Sequence, residues 1–483
     1  MSASTPAPAA AAPPIAKAGA IVGFLIFCEL ASGFVQGYYT PLLPRIADHL
    51  AVSDADITWF MTVQTLAAAV SVPLLSKLGD IFGHRRMLRI AVVAVLIGTL
   101  LVALAPNLAL VLVGRALIGP LAVWLPLEIA LVHNRISGET ARRSIGLLVS
   151  TLTFGAVLGT VAAGIVGEFP IPLAVVLLVP ALFVVVSAFA VYFKVPESTT
   201  RTGAKIDVLG FVLLGVAMIA LLWGLRMAAE VGFADPGAFL PLAAAVVVFA
   251  VFVWWELRVD APAIDIRLVT SRSLGPVYIA GFSFGLVMFG ATAPLTTFLG
   301  SDPAEVGYGF AVSSGGLSAI TAAVTLLATL GAAFFAPIAK RIGIRTVLLI
   351  GAGAAGLGSL VQVCFHDELW QIWVGAVICG IGYGLLLGAL PALVAELAPS
   401  NSTGIAAGVY NSLRTLGGAV AGAVFALLLT ATADAAGIPA VGGYVLVWAT
   451  CTLAFVVAFI AICCIRIPAR VETGEPAPTA VAA

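Results

Sequence analysis

The sequence predicts an all-α polytopic membrane protein of about fourteen transmembrane helices. Hydrophobic residues make up 61% of the 483 and charged residues only 10%, a balance that an ordinary soluble domain does not show. The apolar residues fall into runs of bilayer-spanning length separated by short charged stretches. Basic residues gather in every second stretch, the pattern of a chain that crosses a membrane repeatedly.

Residues 1–18 are Ala- and Pro-rich and are expected as a disordered cytoplasmic tail. The apolar run after Lys17 is about twenty-five residues long, too long for a signal-peptide core, and is taken as a retained first span at 19–43. Further spans are expected at 57–76, 87–105, 108–132, 144–167 and 171–193, completing a six-helix bundle over 19–193. The segment 194–274 is a linker with an inserted helix pair, 207–227 and 238–257. A second six-helix bundle over 275–466 has spans at 275–299, 310–336, 344–364, 369–395, 404–431 and 442–466, and 467–483 is a second tail. Between the second and third spans, Ser76 to Arg86 is expected as a short charged hairpin. Gly79 and Gly83 permit the reversal, Asp80 can accept hydrogen bonds from a helix start, and Arg85 and Arg86 can meet anionic headgroups.

Charge tests the helix count independently of hydropathy. With the N-terminus inside, 19 of the 23 Lys and Arg fall on the inner side, Arg45 and Arg226 fall outside, and Arg115 and Arg414 lie within spans. The outer loops carry acids instead, among them Asp48, Asp54, Glu168, Asp302 and Asp367. Both termini are therefore expected in the cytoplasm, with the chain a multi-pass protein of the cytoplasmic membrane. A weak internal repeat supports two related halves. Gly83 and Arg85 align with Gly343 and Arg345 at an offset of 260, and Gly155 to Gly159 recurs as Gly418 to Gly422. Two repeated helical halves around a mid-membrane site are the architecture of a secondary transporter.

Ionisable groups inside spans are expensive and so are functional candidates. Glu29 lies roughly 15 Å from the inner end of the first span, Arg115 roughly 10 Å from the outer end of the fourth, and Glu128 one or two turns from its inner end. A carboxyl at the depth of Glu29 suits proton uptake and release; packing by a carboxyl that never titrates is the alternative. Glu29, Arg115 and Glu128 form the candidate proton-coupling set. Substrate-cavity candidates are Gln36, Tyr38, Gln64, Trp124, Phe289, Tyr383, Asn411 and Arg414, aromatics and amides that suit an apolar or cationic organic compound. Gly351 to Gly356 matches a dinucleotide-binding glycine pattern, but no strand precedes it, and His366 has no second His nearby. No cofactor, metal or nucleic acid is expected. The six cysteines show no CxxC pair. The expected partners are a small amphipathic molecule, protons and the bilayer, with the chain acting as a monomer.

Leu78-Gly79-Asp80-x-x-Gly83-x-Arg85-Arg86 resembles the conformational-switch loop of the major facilitator superfamily, with Ser76 where that signature opens with Gly. Leu112 to Gly119 resembles the superfamily's fourth-span signature, and the resemblance implies that Arg115 couples protonation to rocking. Gly155-x-x-x-Gly159-Thr160-x-x-Ala163-Gly164 is similar to the antiporter signature, with Thr160 in place of Pro and Ala163 in place of Gly; small residues at this spacing also serve close helix packing. Lys205 to Gly210, Trp254 to Arg258 with Pro262 and Asp265, and Gly404 to Gly418 look like the fourteen-helix drug:proton antiporter family. That family usually has an acid in the outer half of span 1, where Val35 stands here beside Gln36. The resemblance implies proton-coupled efflux of amphipathic compounds or drugs by alternating access. A dedicated metabolite or lipid exporter and a proton-coupled importer remain open. No loop is long enough to house the catalytic domain of a membrane enzyme, and no GxxxxGK[ST] loop supports ATP drive.

Overall fold

A computed structural model describes residues 15–133, 138–195, 207–232, 235–259, 262, 266–398, 403–434 and 437–465. Residues 1–14 of the expected tail 1–18, all of the tail 467–483, and 196–206 of the linker lie outside the described residues. Fourteen long helices follow in order: α1, Ile15–Tyr38; α2, Asp54–Phe82; α3, His84–Leu104; α4, Leu108–Val132; α5, Gly138–Gly167; α6, Leu173–Phe193; α7, Val208–Val231. Then come α8, Pro236–Glu256; α9, Gly275–Gly300; α10, Ser314–Ile342; α11, Ile344–Cys364; α12, Leu369–Leu397; α13, Thr403–Ala431; α14, Val441–Cys464. Thirteen of these are long and apolar enough to cross a membrane on their described residues, and α1, with 24 residues, adds a fourteenth.

Several boundaries differ from those expected, each for a local reason. The first helix begins four residues inside the expected tail and stops at Tyr38, not at residue 43. Pro41 and Pro44 lack the N–H that a continuing helix needs, so the chain makes a 3-10 turn, Thr40–Leu42, and a short helix, Leu43–Leu50. That short helix closes on Ala51, which holds a left-handed backbone at φ 51°; Ala311 does the same at φ 47°. The expected hairpin at Ser76 to Arg86 is corrected more sharply. Leu78, Gly79 and Asp80 belong to the last turns of α2, and the reversal is the single residue Gly83, at φ 108°. Gly79 is small for another reason: a Cβ there would lie 2.8 Å from Leu127 Cδ2 of α4. Asp80 Oδ1 lies 3.0 Å from Nε2 of His84, the first residue of α3.

The same joint recurs between α10 and α11, where Gly343 takes φ 82°. Arg85 Nη2 donates to Tyr192 O at the end of α6, and Arg345 Nη2 donates to Cys463 O at the end of α14, each at 2.5 Å. The repeat read from the sequence is therefore a repeated side-chain device. Two spans are interrupted. In α4 a 3-10 turn, Gly119–Val123, separates Leu108–Ile118 from Trp124–His133, and α9 breaks at Ala291. One buried apolar cluster draws almost wholly on α1 to α6, including Phe34, Leu88, Trp124 and Val184. A second draws almost wholly on α7 to α14, including Met218, Phe252, Phe284 and Trp448, so the inserted pair α7–α8 shares the core of the later helices.

Candidate functional site

Glu29 stands in mid-helix on α1 and Glu128 on the later segment of α4, and both are fully buried. Their carboxyls lie close enough to interact electrostatically, and none of the four oxygens has a hydrogen-bond partner among the described residues. A carboxylate has only acceptors, so two carboxyls in contact can hydrogen-bond only if one carries a proton. Cys28 adjoins the pair, and its Sγ lies 4.0 Å from Ser187 O of α6. The sequence marked both acids but gave no sign that they form one site. The fold supplies that by crossing α1 and α4 inside the first half.

Arg115, on the earlier segment of α4, is 2% exposed and does not join the acid pair. Its Nε donates to Phe60 O of α2 at 2.9 Å, and Nη2 lies 3.3 Å from Met61 Sδ. The guanidinium sits 4.0 Å from the Phe60 ring centroid and 4.9 Å from that of Tyr39. Its charge is thus met by a carbonyl and two aromatic faces, without a carboxylate within ion-pair distance among the described residues.

The cavity candidates separate into two groups. Arg414 Nη2 donates to Asn411 Oδ1 at 3.0 Å, and its guanidinium lies 5.5 Å from the Phe289 ring, so α9 and α13 bring these three together. Gln36 is exposed and donates to Ser32 Oγ at 3.3 Å, while Gln64 is half-buried. Tyr38, Trp124 and Tyr383 instead pack inside the halves. Tyr38 donates to Val176 O at 2.8 Å, Trp124 is fully buried in the first core, and Tyr383 sits 6.0 Å from the rings of both Phe284 and Phe455.

The sequence reading missed how the halves meet. Ser318 Oγ of α10 donates to Thr160 O of α5 at 2.5 Å, and Gly315 N donates to Glu168 Oε1 at 2.7 Å. The Gly315 N–H and the Ser313 hydroxyl hold the exposed Glu168 carboxylate below its usual range. Tyr444 of α14 hydrogen-bonds Asp54 at the start of α2, and a Cβ on Gly422 of α13 would collide with Thr62 Oγ1 of α2. These contacts lie toward the end of the molecule that carries the acidic loops. Of the antiporter-like glycines, Gly164 is part of this closure, since its Cβ would lie 2.3 Å from Ser318 Oγ. Gly155 and Gly159 serve α1 instead, where a Cβ would lie 2.3 Å from Leu30 O and 2.2 Å from Phe34 O. Toward the basic end the same faces part. Val149, about three turns below Thr160, is 44% exposed, and Ala336, about five turns below Ser318, is exposed. Along α5 and α10 the molecule is closed at its acidic end and parted at its basic end.

The chain matches the sequence pattern described as the Major Facilitator Superfamily over residues 25–422, with a second match over 277–481. The chain belongs to the major facilitator superfamily. Membership makes it a multi-pass secondary transporter of small molecules, not an enzyme. Among relatives in the superfamily, the multidrug resistance protein Stp of Mycobacterium tuberculosis is 26% identical, over 81% of this chain and 73% of that protein. The tetracenomycin C resistance and export protein of Streptomyces glaucescens is also 26% identical, over 80% of this chain and 71% of that one. The crystal structure of the nucleoside transporter NupG shares the superfamily fold with a TM-score of 0.64, at 15% identity over 93% of this chain and 99% of that one.

Proposed function

We propose that this facilitator exports amphipathic organic compounds across the cytoplasmic membrane in exchange for protons, as a monomer of the fourteen-helix drug:proton antiporter branch with both termini in the cytoplasm. The observation that carries the reading is the buried Glu29–Glu128 pair, inside the half whose helix α5, packed along α1, borders the other half at α10. Support for the substrate class comes from the efflux relatives and from the aromatic, amide and cationic groups of Phe289, Asn411 and Arg414. The excess of basic residues at the end opposite the acidic loops supports a cytoplasmic placement of that end.

While the pair shares a proton, α1 and α4 remain in contact. Loss of that proton leaves two like charges together, and at about 4 Å in an effective dielectric near 20 their repulsion is on the order of 4 kcal/mol. That is nearly a thousandfold shift in a two-state equilibrium, enough to reverse which end of the vestibule is open. The test is transport in proteoliposomes under an imposed pH gradient, with cationic, neutral and anionic dyes. The parent protein should move at least the cationic dyes, and Glu29→Gln and Glu128→Gln should each cut gradient-driven transport at least tenfold while leaving dye binding in place. Gradient-driven transport by both variants equal to that of the parent would remove the pair from coupling. A dedicated exporter of one metabolite is the second reading, favoured by the single-compound name of the tetracenomycin C relative. Selectivity across the dye panel separates the two.

A further inference from the structure

The two halves meet along two lateral seams, α2 against α13 and α5 against α10, and the seams differ in what covers them. Across the first lies the inserted pair. Leu225 of α7 packs with Trp59 of α2 and with Ala423 and Ala426 of α13, a contact near the acidic end that touches both halves and the insertion at once. At the basic end the insertion is tied down again by polar groups. Asp207 Oδ1, at the start of α7, accepts from Gly210 N and from Trp255 Nε1 of α8, each at 2.9 Å. Beyond α8, Pro262 O accepts from Lys77 Nζ of α2 at 3.3 Å, and Lys77 lies within electrostatic reach of Asp207 and Glu256.

Across the second seam the third element is only the short 3-10 turn Thr40–Leu42, which touches α5 and α10 at the acidic end, and no long helix lies in comparable contact with both among the described residues. Only 11% of the apolar stretch of α10 is buried, the smallest share of any described span, and 28% of that of α5, against 44% for α2 and 56% for α13. Because α5 and α10 touch at Thr160 and Ser318 but expose the same faces at Val149 and Ala336, this seam gapes toward the basic end.

We infer that the inserted helix pair makes lateral access one-sided: α7–α8 seals the α2–α13 seam, and the α5–α10 seam is the door through which a membrane-dissolved amphipathic compound reaches the vestibule. The inference rests on the amphipathic substrate proposed above. An amphipathic compound concentrates in the bilayer, so an opening toward the acyl chains delivers it more effectively than water does. The asymmetry makes the covered seam a wall and leaves Thr321, Thr325 and Thr329 as the polar lining of the open one. Each of these donates its hydroxyl to the carbonyl four residues back, so the lining offers oxygen acceptors without free donors.

The test uses the full chain in proteoliposomes with the exposed Cys364, Cys463 and Cys464 changed to Ser. Single cysteines introduced as Val149→Cys, Ala336→Cys and Val63→Cys carry a bimane fluorophore, and phospholipids bearing a nitroxide quench it. Quenching at 149 and 336 should exceed that at 63 at least threefold, and adding Lys77→Gln should raise it at 63. Equal quenching at all three positions overturns the assignment of a sealed and an open seam. The door itself is tested by export of a lipophilic dye preloaded into the bilayer, which the label on Val149→Cys should slow several-fold relative to the unlabelled variant; unchanged export overturns it. If the quenching asymmetry holds while no form of the protein exports any dye, the efflux reading falls and the seam assignment stands.

Discussion

Arg115 directs a buried charge at a carbonyl and two ring faces, so its loss should be felt as stability before it is felt as chemistry. Arg115→Met removes a charge-assisted hydrogen bond to Phe60 O, a cost of about 1.5–3 kcal/mol, with about 1 kcal/mol more from the lost cation–π contacts. Thermal unfolding in detergent should show a clear drop, with Arg115→Lys intermediate, and an unchanged melting temperature would contradict the geometry. Gly159→Ala should act through α1, because the new Cβ would press on Phe34 O at 2.2 Å. Overpacking of this kind costs about 1–3 kcal/mol, and α1 carries Glu29, so gradient-driven transport should slow together with the loss of stability. At this scale the sequence exposed the expensive residues but not their partners. Glu29, Glu128 and Arg115 declare themselves by charge at depth. That Glu29 meets Glu128 and Arg115 meets Phe60 depends on helices distant in the chain, and no local pattern encodes it. Tyr38, Trp124 and Tyr383 show the converse. An aromatic in a span fits a cavity and a core equally well, and here the core has them.

Between elements, the two Gly joints and their arginines make a paired prediction. Arg85 and Arg345 each hold a last-turn carbonyl of the sixth helix of their half, α6 and α14. Arg85→Ala and Arg345→Ala should therefore each cost about 1 kcal/mol at these half-buried sites, Arg89 still donating to Tyr192 O in the first, and should add in the double variant. Differential unfolding measurements on the three proteins check this, and a cost confined to one of the two would break the equivalence. The repeat was legible because glycine and arginine mark these joints. The 3-10 turn at Gly119–Val123 was not, since hydropathy counts apolar length and is blind to backbone hydrogen bonding. Pro120, lacking an N–H inside an apolar run, was the available signal.

For the molecule as a whole, the acidic-end closure should respond to pH. The Glu168 carboxylate is held below its usual range only while Gly315 N–H and Ser313 face it, that is, in the closed state. Because the closed-state value is depressed, its contribution to closure is present above the free carboxylate's value and is lost as pH falls through the closed-state value. Spin-label distances between the ends of α5 and α10 should accordingly lengthen on acidification, and Glu168→Gln should lengthen them at neutral pH while flattening the dependence. Identical pH profiles for the two proteins would remove Glu168 from the closure. The architecture at this scale was largely written in the sequence, since fourteen apolar runs, alternating charge and an offset repeat imply two halves and an insertion. Which end is shut was not, because it depends on single contacts such as Ser318 with Thr160, whose residues have no unusual polarity.

Ala51 and Ala311 each hold a backbone conformation that suits glycine, at φ 51° and 47°. An L-residue there bears a steric penalty of about 1–2 kcal/mol that glycine does not. Ala51→Gly and Ala311→Gly should therefore raise the melting temperature of the detergent-solubilised protein, with the glycine's greater unfolded-state freedom offsetting part of the gain. Both alanines sit in the acidic-end loops, away from the Glu29–Glu128 pair and from Arg414, so a hardier preparation for reconstitution is within reach of two single-codon changes.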